Sequence, residues 1–172
     1  MKNVAHATKF LRASRVRFLA VANRIPDEFW FKSPAQDVWS AAEILAHVGI
    51  VEESIIARCQ KASVADQLPL PALKRIHLPL VLATWRGKKV RSPVPLKSER
   101  IANREQAYAL LEEVRQHSIE FFDSLRDRDL TAHHFSHPIF GSLNLYEWYR
   151  FIGYHELRHR KQLRELVEIF HR

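Results

Sequence analysis

The stretch NLYEWYRFIGYHELRHRKQLRELVEIF (residues 144–170) reads as one long amphipathic helix. It opens near Asn144, with Glu147 at the third helical position. Trp148, Phe151, Ile152, His155, His159, Leu163, Leu166 and Phe170 recur every three or four residues as a single apolar stripe. Within that stripe Phe151, His155, His159 and Leu163 form an unbroken i, i+4 row. Two histidines therefore lie on the face that must turn to the core. Imidazoles in an apolar core are costly unless hydrogen-bonded or coordinated. Residues i and i+4 stand one above the other, so His155 and His159 can share one ion.

Three further helices are expected upstream. One runs from about Val4 to Asn23, on Val4, Leu11, Phe18, Val21 and Ile25. A second opens at Ser40, where SAAE (40–43) is a capping box joining Ser40 and Glu43. Ile44, His47, Val48, Val51 and Ile55 follow on one side. A third begins near Asn103 and ends near Leu125, with Leu111, Val114, Ser118, Phe122 and Leu125 inward. The four glycines are too few for an all-β fold, and no convincing alternating strand is found. Residues 61–102 hold five of the eight prolines, so no single helix spans them, although PLPALKRIHLPLVLATW (69–85) has room for a short one. A connection this long can run the length of a bundle, so the helices it joins need not be antiparallel neighbours. The class is all-α: a four-helix bundle with one long crossover, in a single domain over residues 1–172.

HELRH (155–159) matches the H-E-x-x-H pattern of zinc proteases. The rest of that machinery is missing. The extended motif needs glycine at 162 and histidine at 165, where this chain has Gln162 and Glu165. Glu165 is six residues past His159, roughly 240° around the helix, and cannot close on the same ion. No strand is expected that could hold a peptide substrate. Glu156 lies about 100° from His155, toward a flank, and reads as a surface or inter-helix salt-bridge residue. No Asp or Glu stands out on the inward face near His47 or His155.

A third ligand comes from His47, on the inward side of the second helix with Ile44 and Val51. His47, His155 and His159 together are the candidate metal ligands. Three protein ligands with a position left open are the pattern of a catalytic site. Imidazole ligation suits zinc, nickel, iron or copper. His117, near Val114 and Phe121, is held in reserve as bordering the interior. His133, His134 and His137 sit in a polar loop between the third and fourth helices and are expected to be solvated. Cys59 lies about 120° from the His47 face and is structural.

The chain has 172 residues, 47% hydrophobic and 27% charged, and a formal charge of +8. At this length about 70% of the unfolded surface is buried on folding, so no disulfide or metal is needed merely to fold. The single cysteine excludes an internal disulfide framework and fits a reducing cytoplasm. FLAVA (18–22) is too short for a secretory signal and is flanked by Arg15, Arg17 and Arg24. No apolar run approaches the ~20 residues of a membrane span. The positive charge invites a nucleic-acid reading, but basic and acidic residues alternate, as in RHRKQLRELVE (158–168). The one basic cluster, WRGKKVR (85–91), carries no interleaved aromatic platform. No nucleic-acid or membrane partner is expected.

Two segments together resemble the DinB/YfiT-like family of metal-dependent four-helix-bundle proteins. DVWSAAEILAHVGIVEES (37–54) looks like its W-S-x-x-E-x-x-x-H segment, ending at His47. SHPIFGSLNLYEWYRFIGYHELRHRKQL (136–163) looks like its G-x-x-x-L-x-E-W segment followed by H-x-x-x-H-R-x-Q. The resemblance implies up-down-down-up connectivity and a divalent metal, nickel or zinc, held by His47, His155 and His159. Members with known activity include thiol S-transferases using low-molecular-weight thiols such as bacillithiol, and a mycothiol-dependent isomerase with a glutamate among its ligands. Homodimers are common among them. A small-molecule substrate or thiol, with a metal-dependent transferase or hydrolase reaction, is the function expected here. A non-enzymatic metal- or ligand-binding bundle with a vestigial site is the alternative. Arg158, Arg160 and the loop residues Arg86, Lys88, Lys89 and Arg91 are candidates to attract an anionic thiol, and Tyr154 and Trp148 to line its pocket.

Overall fold

The computed structural model describes residues 3–65, 78–85 and 103–171. Four long helices carry the fold: α1 (Val4–Ala22), α2 (Ala41–Ser63), α3 (Arg104–Ser124) and α4 (Leu145–Phe170). Each begins at a side-chain cap on its third N–H. Asn3 caps α1, Ser40 α2, Asn103 α3 and Asn144 α4, with reciprocal capping boxes to Glu43 and Glu147. The expected helix starts and ends therefore hold.

Directions follow from the paired residues. α1 and α4 run parallel: Thr8 meets Tyr149, Arg15 meets Glu156, and His171 reaches the Arg24 carbonyl. They approach so closely that a Cβ at Gly153 would stand 2.5 Å from Phe10 Cε1. α2 and α3 are also parallel, pairing Gly49 with Leu110, Glu52 with Arg115, and Gln60 with His117. α1 and α3 are antiparallel, as are α2 and α4, where His47 faces His159 and Arg58 faces Trp148. The bundle is up-down-down-up. The crossover from α2 to α3 accordingly travels the length of the bundle. Its described part is a 3-10 turn, Leu80–Thr84, whose Leu80 and Ala83 are buried. That turn lies against α4, where Lys161 donates to the Thr84 carbonyl (2.9 Å) and Arg158 to that of Trp85. Residues 69–77 of the expected short helix and residues 86–91 of the basic loop lie outside the described residues. Among the described residues no helix is long and apolar enough to cross a membrane.

Two features differ from expectation. The loop before α4 contains an antiparallel hairpin, β1 (His134–His137) and β2 (Gly141–Asn144), paired from His134↔Asn144 to His137↔Gly141. Four residues per strand are too short for alternation to register. The legible signal was the turn itself: Pro138 opens a three-residue loop, and Gly141 takes φ +77° where the chain re-enters the ladder.

The second difference is a charged network at the bundle centre. Arg15 on α1, Glu52 on α2, Arg115 on α3 and Glu156 on α4 are all buried. Arg15 donates to Glu156 (2.5 Å) and Glu52 (2.9 Å), and Arg115 to Glu52 (2.7 and 3.1 Å) and Glu156 (3.3 Å). Ser118 donates to Glu52 (2.8 Å) and Ser14 to Glu156. Each arginine also donates to a carbonyl of the other's helix, Arg15 to Leu111 and Arg115 to Leu11. Glu156 is thus the inter-helix salt-bridge residue, fully buried rather than on the surface. The expectation of no inward acid near the histidines is corrected by Glu52 and Glu156 together. Burial alone raises the Glu52 pKa, but Arg115, Arg15 and Ser118 outweigh it and hold the carboxyl below its ordinary 4.5.

Removing one member strands its buried partners. Glu156→Ala should cost about 3–5 kcal/mol in urea unfolding, and a loss within about 0.5 kcal/mol would contradict the network's place in the fold. The lowered pKa of Glu52 gives stability that is present above pH 4.5 and lost as pH falls through the folded value. Glu52→Gln should therefore flatten the acid limb of the stability–pH curve below about pH 4.5.

Candidate metal centre

α4 brings His155 and His159 together by their four-residue spacing, and antiparallel α2 lays His47 against both. Ring centroids are 5.2 Å apart for His47 and His155, 4.8 Å for His47 and His159, and 4.5 Å for His155 and His159. One nitrogen from each ring lies within 4.8 Å of the others. The three candidate ligands meet at one point, as their spacing and stripe positions predict.

Their surroundings favour neutral imidazoles. His47 and His159 are each 5% exposed, and His155 is half-buried. Burial pushes the His47 pKa down to about 4. Burial, then the neighbouring histidines and Arg158, pushes His155 and His159 well below 6.5. Gln162, one turn past His159, places Oε1 2.9 Å from His159 Nδ1. An amide oxygen there accepts from Nδ1–H and leaves Nε2 with a free lone pair. That Nε2 is 3.1 Å from His155 Nε2. A ligating histidine commonly has its other nitrogen held in this way. Trp39, just before the α2 cap, lies over His47 (4.8 Å) and parallel to His159 (6.1 Å, 10°). Phe151 lies against His155 from one turn earlier (5.9 Å). Three neutral, converging nitrogens walled by aromatic rings fit a divalent transition metal.

The other candidates fall elsewhere. His117 is exposed and pairs with Gln60 (3.1 Å), so it does not border the interior. His133, His134 and His137 are half-buried, and the last two lie in β1, because the hairpin folds back on α4. Cys59 is fully buried and its thiol pKa is pushed up by burial, in keeping with a structural role. Trp148 is buried and donates to the Phe135 carbonyl (3.2 Å). Tyr154 lines a cleft of about 320 Å³ with Leu80, Tyr146 and Arg150. None of the three histidines borders that cleft, so the convergence of nitrogens, and not the cleft, locates the centre. Arg86, Lys88, Lys89 and Arg91 lie outside the described residues.

Sequence reasoning assigned no role to Trp39, Gln162 or His137. Gln162 was visible as the i+3 partner of His159. Trp39 reaches the site only through the bend before Ser40, which carries no periodic signal.

Comparison with known proteins agrees with this architecture. A sequence model described as the DinB superfamily matches residues 11–163. "Uncharacterized protein YuaE" of Bacillus subtilis (strain 168) is 28% identical over 145 residues, covering 84% of this chain and 86% of its own. The crystal structure of TT2238, a four-helix bundle protein, superposes with a TM-score of 0.61 at 24% identity. That match covers 95% of this chain and 99% of TT2238, and it bears on the fold alone.

Elemental analysis of the purified protein should find about one divalent ion per chain. His47→Ala, His155→Ala and His159→Ala should each lose it, and retention in all three would place the ion elsewhere. Gln162→Leu should keep the stoichiometry but weaken affinity about 10–100-fold in a chelator competition.

Proposed function

The chain belongs to the DinB superfamily, and from that premise we propose that it is a metal-dependent enzyme acting on small molecules. The reading is a thiol S-transferase or hydrolase reaction at a divalent ion, nickel or zinc, held by His47, His155 and His159. The observation that carries it is the convergence of three imidazole nitrogens, two from buried rings and one from a half-buried ring, to within 4.8 Å of one another. In this reading the protein is cytoplasmic and homodimeric, takes a low-molecular-weight thiol or a small substrate, and does not act on nucleic acid.

When bound, a divalent ion lowers the pKa of a thiol or water beside it and supplies a nucleophile near neutral pH. The chain's own residues set the conditions for this. Gln162 fixes the tautomer and ring plane of His159. Trp39 covers His47 and His159 and keeps bulk water from that flank. Phe151 packs on His155, the most exposed of the three rings, so substrate reaches the centre on that side. The two interior carboxylates are not free bases, since Glu52 and Glu156 are both bonded to arginines. A nucleophile made by metal-assisted deprotonation needs no carboxylate base, which favours this chemistry over base-assisted alternatives.

The same commitment of Glu52 and Glu156 supports the second reading, a non-enzymatic metal- or ligand-binding bundle. A panel of low-molecular-weight thiols with a halogenated aromatic electrophile separates the two. The enzyme reading expects thioether formation that needs both the ion and His155, with at least a hundredfold loss in His155→Ala. Metal-loaded protein with no turnover over the thiol-only rate across the panel would favour the binding reading.

A further inference from the structure

His137 closes β1 and is half-buried against α4. Its ring lies 4.7 Å from Phe151, 5.3 Å from Trp148 and 5.0 Å from Phe140. Phe151 is one helical turn before His155 and packs on it, so the hairpin delivers His137 to the same side of α4 as the candidate ligands. It is also the side of the half-buried His155, whereas the buried His47 and His159 lie under Trp39.

The orientation of the ring is fixed. His137 Nδ1 accepts from the backbone N–H of Ile139 (3.0 Å) and of Phe140 (3.2 Å), the two residues that turn the hairpin. A nitrogen that accepts twice carries no proton. Burial, then Arg58, lowers the ring's pKa to about 4, so at neutral pH its one proton sits on Nε2. Among the described residues Nε2 makes no hydrogen bond. Held rigid by its other nitrogen, the half-buried ring leaves its Nε2–H open to an acceptor from solution. Arg58 adds positive charge close by, its guanidinium 4.5 Å above Phe135 and 5.7 Å above Trp148.

We propose that His137 is a specificity residue of the three-histidine centre, its Nε2–H donating to an anionic ligand such as a thiolate or hydroxide bound there. This rests on the metal reading. The turn that looks like a connector thereby contributes a residue to the site. The same ring that caps the turn packs on α4 through Phe151 and Trp148.

The test uses full-length protein loaded with cobalt(II) and titrated with azide, followed by the visible absorption of the cobalt centre. His137→Asn keeps an acceptor where Nδ1 lies and so keeps the turn, but has no donor at Nε2. His137→Phe keeps the ring against Phe151 and Trp148 and has no donor at all. Each variant that melts as wild type is expected to bind cobalt with wild-type stoichiometry and azide about tenfold more weakly or worse. Wild-type azide affinity in either folded variant overturns the proposal. If only His137→Gln folds, its amide can still reach the Nε2 position, so it should retain azide binding, and a tenfold loss there counts against the proposal. Failure of the wild type to take up cobalt would overturn the metal reading instead, and the two failures are distinguishable.

Discussion

The bundle is organised around a charge constraint at its centre. Four ionised side chains, one from each helix, occupy a core from which water is excluded. Two guanidinium groups and two carboxylates balance, and every oxygen of Glu52 and Glu156 has a donor. Burying such groups is costly, and an apolar replacement is often as stable or more so. What apolar packing lacks is direction. A guanidinium must meet carboxylates in a defined plane, so the four helices are tolerated in one rotation and one axial register. The exchange of carbonyl contacts between Arg15 and Arg115 adds to this, since sliding α1 along α3 breaks both at once.

The candidate metal centre depends on that register. Glu156 follows His155 directly, about 100° around the helix. With Glu156 held toward α1 and α3, His155 and His159 can only face α2. Glu52 acts likewise on the other side, five residues past His47, so pinning it to Arg115 sets which way His47 points. The three imidazoles could not converge if either helix turned by one residue. The acid that makes HELRH resemble a protease motif is therefore an anchor. It orients the helix that carries His155 and His159 and is barred from base chemistry by the same bonds.

The helices and the clustering of the three histidines were legible because both rest on periodicity. Caps at Ser40, Asn103 and Asn144 stand directly before apolar stripes, and two histidines four apart inside a stripe force the question of what compensates them. The network was harder to read. Arg15 falls four residues after Leu11 and three before Phe18, and Arg115 four after Leu111 and three before Ser118. Both occupy stripe positions, but a lone arginine in a stripe is usually a side chain whose head reaches water. Only the coincidence of four such residues, on four helices, reveals the network, and their heights along the bundle depend on a crossover whose path periodicity does not describe. The hairpin escaped for a different reason. Its strands are four residues long, and its turn is held by a histidine side chain in place of a dipeptide with a strong turn preference.

The two polar constellations of the core solve burial in opposite ways, and the contrast bears on chemistry. The arginine–glutamate network is ionised and neutral in sum. The histidine cluster is uncharged, its rings held unprotonated by burial and by one another. Three neutral imidazoles would bring no charge to offset a divalent cation, and the buried carboxylates Glu52 and Glu156 are already matched to arginines. Were the three histidines to hold a divalent ion, charge neutrality there would come from outside the protein, as a bound anion. A thiolate or a hydroxide meets that demand, whereas a neutral ligand leaves the dication uncompensated in a low-dielectric wall of Trp39 and Phe151. The neutral histidine cluster and the locked network would together favour, at an ion held there, ligands that ionise on binding, which is the property the proposed metal-activated nucleophile requires.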